Sequence, residues 1–347
     1  MKAYLAILLT VWMLPGLPSA NENCLVIRGV FDVGSGATKA HVNSVDVCLQ
    51  KIEKSLFLSS EKVSYKQSLV DNHDEFPASI MEEGQKAILK LKKSAESDST
   101  IQSELKKIHQ KSIEWRGIAT SAFRQAKNGP TTLEIFNKRT DITFKILPQK
   151  DEAMFGYIVG SSLASDPSKA LVWDIGGGSQ QMTFRKNQNE PDAVLFEIGA
   201  ESVKNKIIES VLKKDPKTTK SPNPIGKKNL SSSQKTVSDM FPRKEFKRVP
   251  KTIEVIGIGG VHQFAIPKAT GKEDAYSLQD ASKAIENLID KDDAALNDKY
   301  ADTQVTNLLL VEAILKRLPT SRVKICKYAI ADGYTLVEDN WTNAQAF

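Results

Sequence analysis

The chain has 347 residues, of which 40% are hydrophobic and 26% charged, and its formal net charge is +6. This composition excludes an intrinsically disordered chain, and three cysteines are too few for a small disulfide-stapled scaffold. The length is sufficient for two domains of ordinary size.

The first 20 residues have the pattern of a secretory signal. Lys2 precedes an apolar run over 3–14, prolines follow, and the small residues Ser19 and Ala20 end the segment. The apolar run is too short for a stop-transfer helix. We therefore predict that 1–20 is removed and that the mature chain is exported, periplasmic or secreted, without a membrane span. An uncleaved anchor is the alternative.

The first mature element is a strand over 24–31 that leads to Asp32, and the run over 39–49 indicates a returning strand. Between them lies a hairpin turn with the candidate phosphate-binding residues Gly34, Ser35 and Gly36. Glycine lets backbone N–H groups approach an anion closely, and Asp32 supplies the hard oxygen that Mg²⁺ prefers.

Cys24 and Cys48 lie at equal distances along the chain from Gly36. A symmetric hairpin places them side by side, and an exported protein can keep a disulfide. We predict a cross-strand disulfide, with two buried free thiols as the alternative. Cys326 is left over, and the apolar run around it predicts burial.

Apolar periodicity predicts helices over 79–93 and 100–111. A short strand over 114–122 follows, and Arg124 comes directly after it. Strand ends are where open α/β sheets place ligand-binding groups, and a guanidinium can form two hydrogen bonds with a phosphate. Arg124 is therefore a candidate phosphate ligand, with an ordinary surface cation as the alternative.

A strand candidate over 141–147 stops at Pro148, and a helix then opens at Asp151 and Glu152. The helix dipole favours the ionised form of a carboxyl group in the first turn. We expect Glu152 to be a carboxylate that faces the cleft and acts as a general base. The alternative is an acidic residue that only starts the helix.

The stretch over 170–184 repeats the plan of the first hairpin. An apolar strand without alternation, typical of a strand covered on both faces, leads to Asp174. The candidate phosphate-binding residues Gly176, Gly177, Gly178 and Ser179 follow. Because 181–184 resembles a returning strand, the turn is a hairpin and not a P-loop. Two such hairpins predict two related lobes around a shared phosphate cleft.

A strand over 193–198 and a helix over 201–212 precede a sharp change in composition. The segment 213–251 contains twelve lysines and arginines against three carboxylates. Its prolines and serines predict that much of it is a mobile loop. A solvated insertion is one interpretation, and a docking strip for a polyanion is the other. No nucleic-acid motif is evident.

A third glycine turn follows the strand predicted over 252–258. Gly259 and Gly260 precede a predicted helix whose N–H groups can hold a further anion, although a tight turn alone needs the same residues. The remaining predicted elements are helices over 277–289 and 303–318 and a last strand over 322–330. The four histidines do not have the spacing of a zinc site.

Five segments resemble the Ppx/GppA family of exopolyphosphatases and guanosine pentaphosphate phosphatases. They are DVGSGATK (32–39), IATSAFRQAKN (118–128), LPQKDEAMFGY (147–157), LVWDIGGGSQQMTF (171–184) and GIGGVHQFA (257–265). More broadly, the chain is similar to the actin, Hsp70 and sugar kinase superfamily. The resemblance implies an α/β fold of two ribonuclease-H-like (actin-like ATPase) lobes around a central phosphate-binding cleft. The implied parts are a first lobe (21–163), a second lobe (164–329) with the basic insertion, and a C-terminal segment (330–347) that returns to the first lobe.

The resemblance also implies roles for individual residues. Glu152 activates water for attack on a terminal phosphoryl group of polyphosphate, and Asp32 and Asp174 organise Mg²⁺ mainly through bound waters. The glycine turns and Arg124 hold phosphate oxygens. The chain departs from the usual family pattern in its first turn, at Met154 and at Gln180 and Gln181, which leaves the substrate open.

Two other functions remain as alternatives. Secreted apyrases, which hydrolyse nucleoside tri- and diphosphates, share the superfamily plan and suit an exported chain, but they are usually longer and richer in cysteine. A noncatalytic polyphosphate-binding protein is the third possibility. Export disfavours guanosine pentaphosphate, a cytoplasmic nucleotide, and the sequence leaves open whether the chain forms a homodimer.

Overall fold

A computed structural model describes residues 24–186 and 191–342, so the predicted signal segment 1–20 lies outside the described residues. The strands are β1 (Leu25–Val33), β2 (Ala37–Asp46), β3 (Lys51–Lys62), β4 (Glu114–Ala119), β5 (Phe144–Ile146), β6 (Ala170–Ile175), β7 (Gln180–Phe184), β8 (Asp192–Phe196), β9 (Glu254–Ile258), β10 (Ala275–Ser277) and β11 (Arg322–Ile325). They form a five-stranded sheet, β3-β2-β1-β4-β5, and a six-stranded sheet, β10-β11-β9-β6-β7-β8.

Helices cover both sheets. They are α1 (Tyr65–Asp71), α2 (Ala78–Glu96), α3 (Ser99–Lys107), α4 (Ser121–Gln125), α5 (Gly129–Thr140), α6 (Gln149–Gly160), α7 (Ala200–Ser210), α8 (Leu230–Asp239), α9 (Arg243–Phe246), α10 (Ile266–Thr270), α11 (Leu278–Leu288), α12 (Asp293–Leu296), α13 (Ala301–Leu315), α14 (Ile330–Leu336) and α15 (Asp339–Thr342). Within the described residues, no helix combines the length and the hydropathy that a membrane crossing requires.

The two sheets repeat one arrangement. In the first, β1 pairs antiparallel with β2 and parallel with β4, and in the second, β6 pairs antiparallel with β7 and parallel with β9. Asp32 and Asp174 therefore lie at equivalent places, at the carboxyl end of a central strand. The predicted two-lobed α/β fold is confirmed.

Each lobe has its own hydrophobic core, and a third cluster joins the lobes. This third cluster combines Val30 and Ile118 of the first sheet with Val172 and Ile256 of the second. Helices α6 and α14 pass between the sheets and pack against each other, so closely that a Cβ atom at Gly333 would lie 2.0 Å from the Phe155 carbonyl oxygen. Glu152, on α6, is thereby placed between the lobes.

The predicted disulfide between Cys24 and Cys48 is present, with 5.6 Å between the two Cα atoms. The hairpin is shifted by half a residue from the symmetric one, because Leu25 pairs with Asp46. Cys24 consequently faces Val47, and the disulfide reaches one residue further, to the turn that follows β2. Cys326 is buried and free, as predicted.

The segment 213–251 differs from the mobile loop that its composition predicted. It contains α8 and α9, and Val237 and Phe241 are fully buried in the core of the second lobe. The cations hid this pattern because the apolar residues are widely spaced among them. The basic segment is thus a folded part of the lobe with a charged outer surface.

Several element boundaries also differ from the predictions. The strand predicted over 114–122 ends at Ala119, so Arg124 lies on α4 and not at a strand end. The last strand ends at Ile325, and 330 already begins α14. Strand β3 was not predicted, because it lies at the sheet edge and most of its side chains are at least partly exposed.

Candidate active site

The two aspartate–glycine turns meet at the inner ends of the sheets. A Cβ atom at Gly177 would lie 2.8 Å from Ser35 Cβ, and one at Gly178 would lie 2.6 Å from Ser35 Oγ and 2.7 Å from Ser121 Oγ. Side chains at these two positions would overlap the opposite lobe, so the close approach requires glycine. Gly34 and Gly36 have more space, with nearest atoms at 3.4 and 3.6 Å.

The third glycine turn packs against the second. Gly259 has φ +82°, and a Cβ atom there would lie 2.3 Å from Asp174 Oδ1. Gly260 faces the Lys39 ammonium, with 3.8 Å from its Cβ position to Nζ. The structure therefore places Gly259 and Gly260 beside the candidate metal ligands, directly before the π-helical turn 261–265.

The two candidate metal ligands share one cation of the protein. Asp32 is buried, its Oδ2 lies 3.8 Å from Lys39 Nζ, and its Oδ1 has no hydrogen-bond partner in the described structure. Asp174 keeps partial solvent contact although protein surrounds it. Burial raises the pKa of Asp174 to about 7, Lys39 opposes that rise, and the charge of Asp32 adds to it.

Glu152 is buried in the first helical turn of α6, and its side chain points toward the second aspartate–glycine turn. One carboxylate oxygen forms an ion pair with Arg124, and Oε2 accepts a hydrogen bond from Gln181 Nε2 at 3.1 Å. Burial raises the pKa of Glu152 to about 8, because loss of solvent outweighs Arg124 and because Asp174 and Asp32 repel the ionised form. Burial therefore disfavours the ionised form of Glu152, contrary to the expectation from the helix dipole.

Arg124 connects the parts of the site. Its Nη1 donates to the Leu147 carbonyl oxygen at 2.8 Å, and its Nη2 donates to Ser179 Oγ at 3.3 Å. The same Nη2 lies 3.5 Å from Glu197 Oε1, and Nε is buried without a partner in the described structure. The Arg124 guanidinium thus links Ser179 of the second aspartate–glycine turn to Glu152, the candidate general base on α6.

The structure brings most of the predicted site together. Glu152, Arg124 and Ser179 form one hydrogen-bonded group, and Ser35 meets Gly178 at its edge. In the ranges 24–186 and 191–342, three potential metal ligands lie within 4.8 Å of one another only at Cys24, Asp46 and Cys48, whose sulfurs form the disulfide. Asp32 and Asp174 are hence an open pair of carboxylates and not a closed cage.

Some residues at the site were not assigned from the sequence. Ser121 and Gln125 lie within a segment that carried the family resemblance, and Gln181 was noted only as a departure from it. Glu197 and Lys66 had no local signal, because their contacts with α4 join positions far apart in the chain.

Two α/β lobes with the same strand plan, each with an aspartate–glycine turn at the inner end of its sheet, are the arrangement of the actin-like ATPase fold. Residues 50–339 match the Ppx/GppA phosphatase family, and the chain belongs to this family. The matched range includes the second and third glycine turns and Glu152, and it begins after the first turn.

Solved structures agree on the fold. The Aquifex aeolicus member of the Ppx/GppA family is 14% identical, with a TM-score of 0.65, and the match covers 92% of this chain and 100% of that one. An exopolyphosphatase from Cytophaga hutchinsonii is 18% identical, with a TM-score of 0.66, over 89% of this chain and 97% of the other. No curated protein sequence matches the chain.

Proposed function

We propose that this protein is an exported phosphoanhydride hydrolase that releases terminal phosphate from polyphosphate. The observation that carries the proposal is the buried Glu152, which contacts Arg124 and Gln181 and lies between two aspartate–glycine turns. Membership of a phosphatase family and the fold shared with an exopolyphosphatase support a substrate of this class.

In the proposed reaction, the backbone N–H groups of both turns and the Arg124 guanidinium hold the oxygens of the terminal phosphate. Glu152 accepts a proton from water as the water oxygen forms a bond to phosphorus. The bridging P–O bond opposite breaks, and its electron pair leaves with the shortened chain. The raised pKa of Glu152 makes its ionised form a stronger base than an exposed glutamate, and Arg124 and Ser179 lie beside it to contact the charged oxygens.

We propose Asp32 and Asp174 as the residues that hold Mg²⁺. Within the described residues, Asp32 Oδ1 has no hydrogen-bond partner and no closed cage of ligands surrounds the two aspartates, which fits a cation that keeps several of its waters. Bound there, Mg²⁺ would supply neutralisation of charge on the phosphate oxygens. Lys39 lies close to Asp32, so we expect it to compensate part of the carboxylate charge when no metal is bound.

Two features of the chain support export. The pattern of residues 1–20 is that of a secretory signal, and the Cys24–Cys48 disulfide suits an oxidising compartment. The same features suit an exported nucleotide phosphohydrolase, which is the second candidate function. The two candidates differ in whether the enzyme prefers an inorganic polyphosphate or a nucleoside triphosphate.

The test is phosphate release by the mature chain, with and without Mg²⁺, from long polyphosphate, tripolyphosphate, ATP and guanosine pentaphosphate. We expect Mg²⁺-dependent release from polyphosphate, and a loss of about 10²- to 10⁴-fold in kcat in Glu152→Gln. The matched control is Asp151→Asn, an exposed acidic residue of the same helix turn, which should keep its activity.

Three results would contradict parts of this proposal. Unchanged turnover in Glu152→Gln would exclude its role as the base. A preference for ATP with removal of both outer phosphates would assign the chain to the nucleotide phosphohydrolases. Binding of polyphosphate without release from any substrate would instead indicate a noncatalytic polyphosphate-binding protein.

A further inference from the structure

Glu197 is an acidic residue of the second lobe whose side chain contacts α4 of the first lobe. It follows β8, and its carboxylate contacts three polar side chains of α4. Ser121 Oγ and Gln125 Nε2 each donate to Oε2 at 3.2 Å, and Arg124 Nη2 lies 3.5 Å from Oε1. The side chain of Glu197 remains about half exposed, at 51%.

The groups around this carboxylate are those that recognise phosphate in other sites: a hydroxyl, an amide N–H and a guanidinium. They also border the proposed reaction centre. Ser121 Oγ lies next to the Gly178 position, and Arg124 contacts both Glu152 and Ser179. A phosphate group held by Ser121 and Arg124 beside Glu152 would therefore meet the atoms of the Glu197 carboxylate.

Lys66 is a second cation, after Arg124, near the Glu197 carboxylate. Its backbone N–H donates to the Ser35 carbonyl oxygen at 2.8 Å, which fixes it beside the first turn, and its ammonium contacts Gln125 Oε1. Burial lowers the pKa of Lys66, whereas the charges of Glu197 and Asp74 oppose that change. Hydrogen-bond donors and two cations therefore surround the Glu197 carboxylate, which supplies a negative charge among them.

We propose that the Glu197 carboxylate, held by Ser121, Arg124 and Gln125, occupies the position of a substrate phosphate group, and that a polyanionic substrate binds by displacing it. The inference rests on the proposed function, since it takes the side of α4 that bears Ser121 and Arg124 as the substrate side. Because Glu197 is part of the chain, it competes at a high effective concentration. A single phosphate ion replaces it poorly, whereas a chain of several phosphates gains further contacts and succeeds.

This arrangement makes Glu197 a specificity-determining residue. It selects for substrates with more than one phosphate group and against orthophosphate, the proposed product. Removal of its charge should strengthen binding of both anions, since a like charge at the binding position then disappears. Displacement of the same carboxylate costs both anions the same free energy, so the fold gain should be similar for the two, and orthophosphate, which has fewer other contacts, should remain the weaker ligand.

The experiment measures binding of tripolyphosphate and of orthophosphate by calorimetry in Glu152→Gln, in which turnover does not interfere. We expect Glu197→Gln, added to that variant, to lower the dissociation constant for tripolyphosphate by about tenfold, since relief of like-charge contact is worth at least this much. Glu209→Gln is the matched control. Its carboxylate is exposed on α7 and pairs only with Lys206 in the described structure, and its loss should leave both affinities unchanged.

A second pair of variants tests the position itself. Gln125→Ala lacks one donor to the carboxylate. In that variant, the further change Glu197→Gln should increase the affinity for tripolyphosphate less than it does when Gln125 is present. Equal or weaker binding in Glu197→Gln, or an equal gain in Glu209→Gln, would overturn the inference.

The outcomes separate this inference from the proposed function. If no substrate is hydrolysed but Glu197→Gln still tightens tripolyphosphate binding, the anion position stands and the hydrolase proposal fails. If polyphosphate is hydrolysed but Glu197→Gln changes neither the affinity nor KM, the hydrolase proposal stands and the inference about Glu197 fails.

Discussion

The two aspartate–glycine hairpins have the same strand plan, but their turns contain glycine for different reasons. In the first hairpin, a Cβ atom at Gly36 would meet its nearest atom at 3.6 Å, an ordinary contact distance. In the second, a Cβ atom at Gly178 would overlap two serine hydroxyls of the opposite lobe. Protein contacts thus leave room for a Cβ atom at Gly36 and crowd one at Gly178, a difference that the local sequence does not reveal.

The hairpins also differ in what holds their strands together. In the first hairpin, the Cys24–Cys48 disulfide joins the residue before β1 to the turn after β2. The second has no such bond in the described residues, but all five residues of β7 are buried, and Trp173 Nε1 donates to Gln180 Oε1 at 2.9 Å. Packing holds both hairpins, since β2 is also almost entirely buried, and the disulfide is a constraint that the first hairpin has in addition.

Removal of the disulfide should have the largest effect on stability. The bond closes a loop with a sequence separation of 24, so Cys24→Ala with Cys48→Ala should lower the free energy of unfolding by about 3 kcal/mol. Urea unfolding measures this change. A reducing agent should destabilise the wild type similarly and leave the double variant unaffected; a variant as stable as the wild type would show that packing alone holds the first hairpin.

The two turns can be compared directly by adding one methyl group to each. Gly178→Ala should displace the turns by about 1 Å and reduce kcat/KM by about 10²-fold, or about 2.7 kcal/mol in activation free energy. Gly36→Ala should change kcat/KM by less than about threefold, because its Cβ has room. Urea unfolding of both variants separates a local effect from a loss of folding. Equal losses in the two variants would contradict the asymmetry of the turns.

The parts of the site that could be predicted from the sequence are those in which local pattern decides the position. An apolar strand that ends in an aspartate and glycines places Asp32 and Asp174 at the carboxyl ends of central strands, where the two sheets face each other. The first turn of α6 similarly places Glu152. The family resemblance supplied the relation between these segments, which no periodicity shows.

The parts that could not be predicted depend on contacts between distant positions. Glu197 and Ser121 are 76 residues apart, and nothing near either residue indicates their hydrogen bond. The pKa of Glu152 was misjudged for a related reason, since burial between the lobes outweighs the local helix dipole. The basic segment was misjudged because composition measures charge, whereas the fold depended on the few apolar side chains, such as Phe241, that become buried.

A histidine beside each hairpin extends the comparison to pH. On β2, His41 Nδ1 lies 3.2 Å from a carboxylate oxygen of Asp332. In the second lobe, His262 packs edge-on against Trp173 of β6, its Nδ1 lies 2.8 Å from the Tyr276 hydroxyl, and its Nε2 has no partner among the described residues. Burial lowers the pKa of His262 from 6.5 to about 3, so this histidine stays neutral in the folded protein.

The low pKa of His262 predicts a loss of stability in acid that is smaller than the effects expected for the disulfide and for Gly178→Ala. Below pH 6.5 the unfolded chain binds a proton that the folded chain rejects, so stability falls as the pH decreases toward 3. The loss between pH 7 and pH 5 should be about 2 kcal/mol from this residue, at about 1.4 kcal/mol for each pH unit below 6.5. In His262→Phe, the free energy of unfolding should depend less on pH, as measured by urea unfolding at pH 7 and pH 5. This holds even if the unpaired Tyr276 hydroxyl lowers the stability of the variant at both pH values. The exposed His109, replaced by Asn, is the control and should keep the wild-type dependence. If all three proteins lose the same stability on acidification, the acid sensitivity arises elsewhere and the packing of the second hairpin does not depend on a neutral His262.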